Sequence, residues 1–191
     1  HATRELAVRA YQLADVVALQ TETLLAAIDI TLQSLADEYL EVPLRDFDIR
    51  VRSVKRAFPE GAVLQVGVTD AKGQLVYSSL TPNAKGDLSD REHIRAHLDS
   101  PEARLYVSAP VMGRVSKEWS IQFTRPLLAS GKTAGVIVLS VAPRYISDMF
   151  KAVALNPGDT INLLRNDGRY LARNLGLEEA MKAKVPLDRP Y

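Results

Sequence analysis

From Arg4 to Tyr39 the apolar residues Leu6, Ala10, Leu13, Val17, Leu24, Ile28, Leu32 and Leu35 fall mostly three and four apart, with no Pro or Gly between them. A period near 3.6 keeps such positions on one side, so the stretch predicts one long helix. At 1.5 Å per residue it would reach on the order of 50 Å, more than a compact domain of this size needs for its own core. Two readings stand side by side: a core helix with one long side, or a stalk that packs against a second copy of the chain. A shorter helical pattern from Leu44 to Phe58 places Phe47, Val51, Val54 and Phe58 on one side, and Pro59 stops it.

The period then changes. "VLQVGVTDAKGQLVYSS" (63–79) reads as two strands around Asp70-Ala71-Lys72-Gly73, where Asp opens a turn and Gly closes it. Three further strand-like runs follow at 104–111, 119–128 and 134–142, separated by "GRVSKE" and "ASGKT". The expected class is α+β: a long N-terminal helix and antiparallel sheet with helices on it. "INLLRNDGRYLARN" (161–174) repeats the first hairpin's logic about 95 residues later, which suggests two tandem lobes, although any two hairpins share features. The expected divisions are 1–58 for the two helices, 59–150 for a first lobe and 151–191 for a second lobe that is smaller or cut short at Tyr191.

Composition narrows the function. With 47% hydrophobic and 25% charged residues the chain has globular composition. Its 24 basic and 23 acidic residues nearly cancel, removing the positive field that nucleic-acid binders exploit, so no nucleic-acid partner is expected. It has no cysteine, which excludes disulfides, zinc fingers and thiol catalysis. The longest apolar run, 134–142, is far short of the ~20 residues a bilayer requires. His1 begins inside a helical pattern and could be a tag remnant, so the chain is expected to be cut from something longer.

The densest chemistry is "LSDREHIRAH" (88–97). Ser89 or Asp90 can cap the helix that follows. His93 and His97 stand four apart, the spacing of helical zinc sites, but Ile94 replaces the glutamate of the zinc-protease pattern and no third histidine or cysteine follows. Ser108 and Ser116 could serve His93 as nucleophiles, but no nucleophile-elbow motif is present and no enzyme is expected. An anion pocket asks for less. Arg91 would add its planar donors to the start of the helix. Along "WSIQFTR", Trp119, Ile121, Phe123 and Arg125 alternate onto one face and Ser120, Gln122 and Thr124 onto the other. An arginine on an apolar face needs a partner: a ligand, or an internal carboxylate such as Asp90 or Glu92. Trp119 reads either as core or as ligand wall.

The stretch 88–150, with "SDRE" opening a helix, then "SAPVMGRVSKEW", "FTRPL" and "GVIVLSV" before a short helix, resembles the membrane-distal lobe of double Cache (PAS-like) sensor domains. These stand on bacterial membrane-bound diguanylate cyclases, phosphodiesterases and histidine kinases. The resemblance implies a periplasmic, membrane-tethered sensor that binds a small molecule between sheet and helix, often as a homodimer through the long helix. In the amino-acid-sensing branch an arginine takes the ligand carboxylate, two aromatic residues follow, and an aspartate on the last strand takes the ammonium. Arg91 matches the arginine; His93 and Ile94 stand at the aromatic positions and Ser140 at the aspartate. Without a carboxylate at 140, the expected ligand is a small organic anion rather than an α-amino acid. The expected ligand residues are Arg91, His93, His97, Ser108, Trp119, Arg125 and Ser140, with no cofactor and no metal. The rivals are a metal-binding or catalytic domain built on His93 and His97, and a ligand-free dimerisation module.

Overall fold

The computed structural model describes residues 2–81, 83–100, 102–114, 116–154 and 156–186; His1 and the expected end of the second lobe at Tyr191 lie outside the described residues. Helix α1 spans Ala2–Glu41. Its second half buries Leu24, Ile28, Leu32 and Leu35, so the core reading holds there. Its first half is largely exposed, with Leu6 64%, Tyr11 74% and Leu19 65% accessible. Helix α2 (Leu44–Ala57) buries Phe47, Val51 and Val54. Phe47 packs edge-on between Tyr39 and Tyr77, each ring centre 5.1 Å away, and Tyr77 Oη donates to Asp48 Oδ1 at 2.8 Å. These contacts fix both helices to the sheet.

The sheet holds β1 (Val63–Asp70), β2 (Leu75–Ser78), β3 (Tyr106–Val107), β4 (Val111–Met112), β5 (Trp119–Ala129) and β6 (Lys132–Val141). Its order is β2-β1-β6-β5-β3, with β4 also on β5, and every pairing is antiparallel. The run expected as one strand at 104–111 is two short pieces, and Pro110, which has no amide to donate, lies in the break. The β5–β6 turn is Ser130-Gly131, both at positive φ (52° and 73°), which matches the twist of a two-residue hairpin.

Both sheet faces are covered. Val66, Val68, Ile121, Phe123, Leu127, Ile137 and Leu139 join α1, α2 and α4 (Pro143–Val153) in the main core. On the opposite face Val136 and Val138 pack under α3 (Glu92–Leu98) with Ile94, Leu88 and Leu98. Period-2 alternation thus sends each strand's two sides into different environments.

After α4 the chain continues through β7 (Asn162–Leu164), β8 (Tyr170–Arg173) and α5 (Leu177–Ala180), the part expected as a second lobe, whose Ile161, Leu171 and Ala172 join the main core. Its hairpin matches the first in detail. Asp70 Oδ1 accepts from the amides of Lys72 and Gln74, and Asp167 Oδ1 from that of Arg169. Gly73 and Gly168 both take positive φ, and their carbonyls accept from Leu88 and Val185 respectively. The repeated hairpin is therefore the same supersecondary unit used twice. The expected division after residue 150 cuts through α4.

Candidate functional site

Beneath α3, at the edge of β4, lies a small hollow of about 40 Å³. Its floor is a polar row across three strands, in which Ser140 stands opposite Gln65 on β1 and opposite Gln122 on β5. Ser140 Oγ donates to Gln122 Oε1 at 2.5 Å, Gln122 Nε2 donates to Ser120 Oγ at 2.6 Å, and Gln65 Nε2 donates to Ser78 Oγ at 2.9 Å. The row is satisfied internally and uncharged. Leu75, Leu88, Val111 and Val138 supply apolar wall, and among the described residues no carboxylate lines the hollow.

The charge sits at the rim. Arg114 forks onto Asp90, at 2.9 and 2.7 Å, and also donates to the Asp87 carbonyl at 2.6 Å. Asp90 is thereby held below its usual pKa, chiefly by the hydrogen bonds from Arg114. Asp90 is thus no helix cap: Arg91 occupies the N-cap position without a side-chain capping bond, because Arg114 has captured the neighbouring carboxylate. Ser89 does not cap α3 either, as its hydroxyl and amide both go to Asp87. Arg91 differs from Arg114. Among the described residues it has no salt bridge, and its one side-chain hydrogen bond is a long 3.5 Å approach to the Met112 carbonyl. Burial first, and the Arg114 charge second, lower its pKa. Both effects favour an incoming anion.

His93 lines the same hollow and is 6% exposed. Burial, reinforced by Arg91, lowers its pKa to about 4, so it is neutral at pH 7. His97 is fully buried one turn on, its Nε2 2.8 Å from Thr124 Oγ1, which in turn donates to the His93 carbonyl at 3.0 Å. Burial lowers its pKa likewise to about 4. His97 therefore serves the helix-to-sheet contact and does not line the hollow. Among the described residues no three His, Asp or Glu side chains gather to hold a metal ion.

The structure brings three expected residues together at the hollow, Arg91, His93 and Ser140. It places the others elsewhere. Ser108 is buried beside the floor, where its hydroxyl accepts from the Gln122 amide and donates to the Ala109 carbonyl, continuing the β3 ladder past its end. Arg125 lies on the opposite face, bound by both nitrogens of its fork to Asp29 of α1, with Nη2 2.9 Å from Oδ2. Neither Asp90 nor Glu92 is its partner. Asp29 is correspondingly held below the usual carboxylate range by the hydrogen bond from Arg125. Trp119 shares that face and lines a separate surface hollow with Glu60, Arg144 and Tyr145. The sequence reading passed over Gln65, Gln122 and Arg114. The signal was present at 120, 122 and 124: the polar side of the β5 alternation is buried too, so its amide and hydroxyls mark a second covered face.

No protein-family model and no curated protein matches the chain. Solved structures do. The extracellular domain of the candidate histidine kinase rpHK1S-Z16 is 30% identical, with a TM-score of 0.79 over 87% of this chain and 69% of that one. The sensory domain of the Campylobacter jejuni chemoreceptor Tlp3 with isoleucine bound is 14% identical, at a TM-score of 0.65 over 92% and 72%. The ligand-binding domain of the Pseudomonas fluorescens chemoreceptor CtaA in complex with L-serine is 14% identical, at 0.64 over 83% and 67%.

Proposed function

The chain belongs to the double Cache (PAS-like) family of extracellular sensor domains carried by bacterial transmembrane signalling proteins, and from that premise we propose that its first lobe senses a small organic anion anchored by Arg91. It is a sensor domain rather than an enzyme, as are the domains it resembles. The observation that carries the anion reading is the contrast at the rim: Arg114 is neutralised by Asp90, while Arg91 faces the hollow without a carboxylate. A carboxylate there would gain charge-assisted hydrogen bonds from a partly desolvated guanidinium. An α-amino acid would also bring an ammonium, and the lining of Gln65, Gln122 and Ser140 offers it no negative charge.

A space of about 40 Å³ is far below the ~300–1,000 Å³ of ordinary small-molecule pockets. Binding therefore requires α3 or the 111–114 rim to move outward, and that movement is the conformational change a sensor needs. A ligand shifts such an equilibrium only through different affinities for the closed and open forms. We place the domain in the periplasm, tethered to the inner membrane, with a histidine-kinase output favoured by rpHK1S-Z16. No helix among the described residues is long and apolar enough to cross a membrane. The exposed Leu6, Tyr11, Leu19 and Ile30 of α1 support a homodimer along that helix, which sedimentation equilibrium tests.

Isothermal titration of the whole chain against a panel of mono- and dicarboxylates and a panel of amino acids tests the ligand class. Heat with organic acids that disappears in Arg91→Ala is the expected result. Heat with amino acids alone, or unchanged binding in Arg91→Ala, rejects it.

A further inference from the structure

One cluster outside the hollow joins the two lobes at the helix that carries its mouth. Glu92, the residue after Arg91, accepts from Tyr106 Oη on β3 and from Arg165 Nη2 at 2.9 Å. Arg165 Nη2 also reaches Tyr106 Oη at 2.7 Å, and its guanidinium lies 5.5 Å from the centre of the Tyr106 ring. Arg165 belongs to the second lobe, 73 residues along the chain, and leads into its hairpin turn. Its backbone is clamped there: its amide donates to Arg169 and its carbonyl accepts from Gly168. Its side chain is 18% exposed, so the long stem is held as well as the charge. Hydrogen bonds from Tyr106 and then Arg165 keep Glu92 below the ordinary carboxylate range. Burial, with Glu92 adding to it, pushes the Tyr106 phenol up to about 12, so the hydroxyl keeps its proton.

The two ends of α3 are anchored differently. Thr124 holds His97 and the His93 carbonyl, and Ile94 sits in the small core. At the N-terminal end the further side-chain ties are the Arg114 fork on Asp90 just before the helix, the long Arg91 approach to Met112 and the Glu92 cluster, and of these the Glu92 cluster alone reaches past residue 150. We infer that Arg165, Tyr106 and Glu92 form a latch by which the second lobe holds the N-terminal end of α3 down over the hollow. Lifting that end to admit an anion strains or parts the latch, so occupancy of the first lobe and the junction between lobes are coupled. By reciprocity, weakening the latch eases opening. This rests on the reading of Arg91 as the anion's anchor only for its consequence; the latch itself acts in the chain without any anion.

The test is hydrogen exchange of the α3 amides in the whole chain with no anion added. Arg165→Met, Glu92→Gln and Tyr106→Phe are each expected to speed exchange across residues 92–98, by about three- to fivefold, the scale of a partly exposed ion pair. Tyr106→Phe keeps the ring and Glu92→Gln keeps the shape, so both report even if Arg165→Met unfolds the second lobe. Lys151→Met, which removes an exposed ion pair on α4, is expected to leave α3 unchanged. Arg165→Met with Tyr106→Phe should exceed Arg165→Met alone by little, because the side chains act as one unit. Exchange in α3 equal to the parent in Glu92→Gln and Tyr106→Phe, or an equal rise with Lys151→Met, overturns the latch. Failure of the anion reading shows separately, as loss of titration heat with the latch variants still loosening α3.

Discussion

The central sheet carries an arginine near each face, and the two have opposite fates. Arg125, on the face packed against α1, is locked onto Asp29. Arg91, above the other face, is partly desolvated and has no acidic partner among the described residues. The first face is built for stability, with apolar side chains interdigitating and one charge neutralised from within. The second has a polar floor that satisfies itself and a charge left over at its edge. A charge left without an acidic partner costs stability, and on the proposed reading an anion bound at that face offsets the cost.

The comparison breaks most visibly if the packed face is cut. Phe123→Ala removes a ring that is 1% exposed and should cost roughly 3–5 kcal/mol in urea unfolding. A loss under ~1 kcal/mol would deny that face its role as the core.

Acid probes the α3 face. His93 and His97 have folded pKa values near 4, against about 6.5 when unfolded. Between those values the unfolded chain binds more protons, so their contribution is complete above about pH 6.5 and is lost as pH falls toward 4. In His97→Gln the decline over this window should be smaller by on the order of 2–3 kcal/mol. An unchanged pH slope would mean that the imidazole is not held neutral by burial.

The two arginines give the sharpest contrast. Asp29→Ala strands the Arg125 guanidinium and should destabilise by about 2 kcal/mol, short of the fully buried case because both partners retain some solvent. Arg91→Ala should change stability by less than about 0.5 kcal/mol. Its effect is expected in organic-acid affinity instead, a loss of about 10- to 100-fold by titration. Equal stability losses from the two variants would erase the distinction between a structural and a ligand-facing arginine.

Much of the architecture was legible. The 3-and-4 spacing of Leu24, Ile28, Leu32 and Leu35 correctly announced a long helix, and Asp70 to Gly73 and Asp167-Gly168 announced the paired hairpins. The alternation at 119–125 was read correctly as two faces, while Arg125 was left between a ligand and an internal carboxylate, and Trp119 between ligand wall and core. Parity along a strand says which residues share a side, never what covers that side. The cover of the face bearing Gln122 and Ser140 is a seven-residue helix whose main tie to the floor, through Thr124, joins residues 27 and 31 apart. The Asp90 cap failed for a related reason, since Arg114, 24 residues away, competes for the same carboxylate.

By itself, the order of residues determined the helices, the hairpins, the twofold use of one supersecondary unit and the unusual charge around residue 91, because these depend on neighbours within a few positions. Only the tertiary structure decided which arginine is neutralised, since Asp29 and Arg125 meet across 96 residues. It also decided that Gln122 and Ser140 share a floor, and that Arg165 reaches Glu92 across 73 residues. Charge pairing is settled by distance in space, and distance in space is set by how the layers stack.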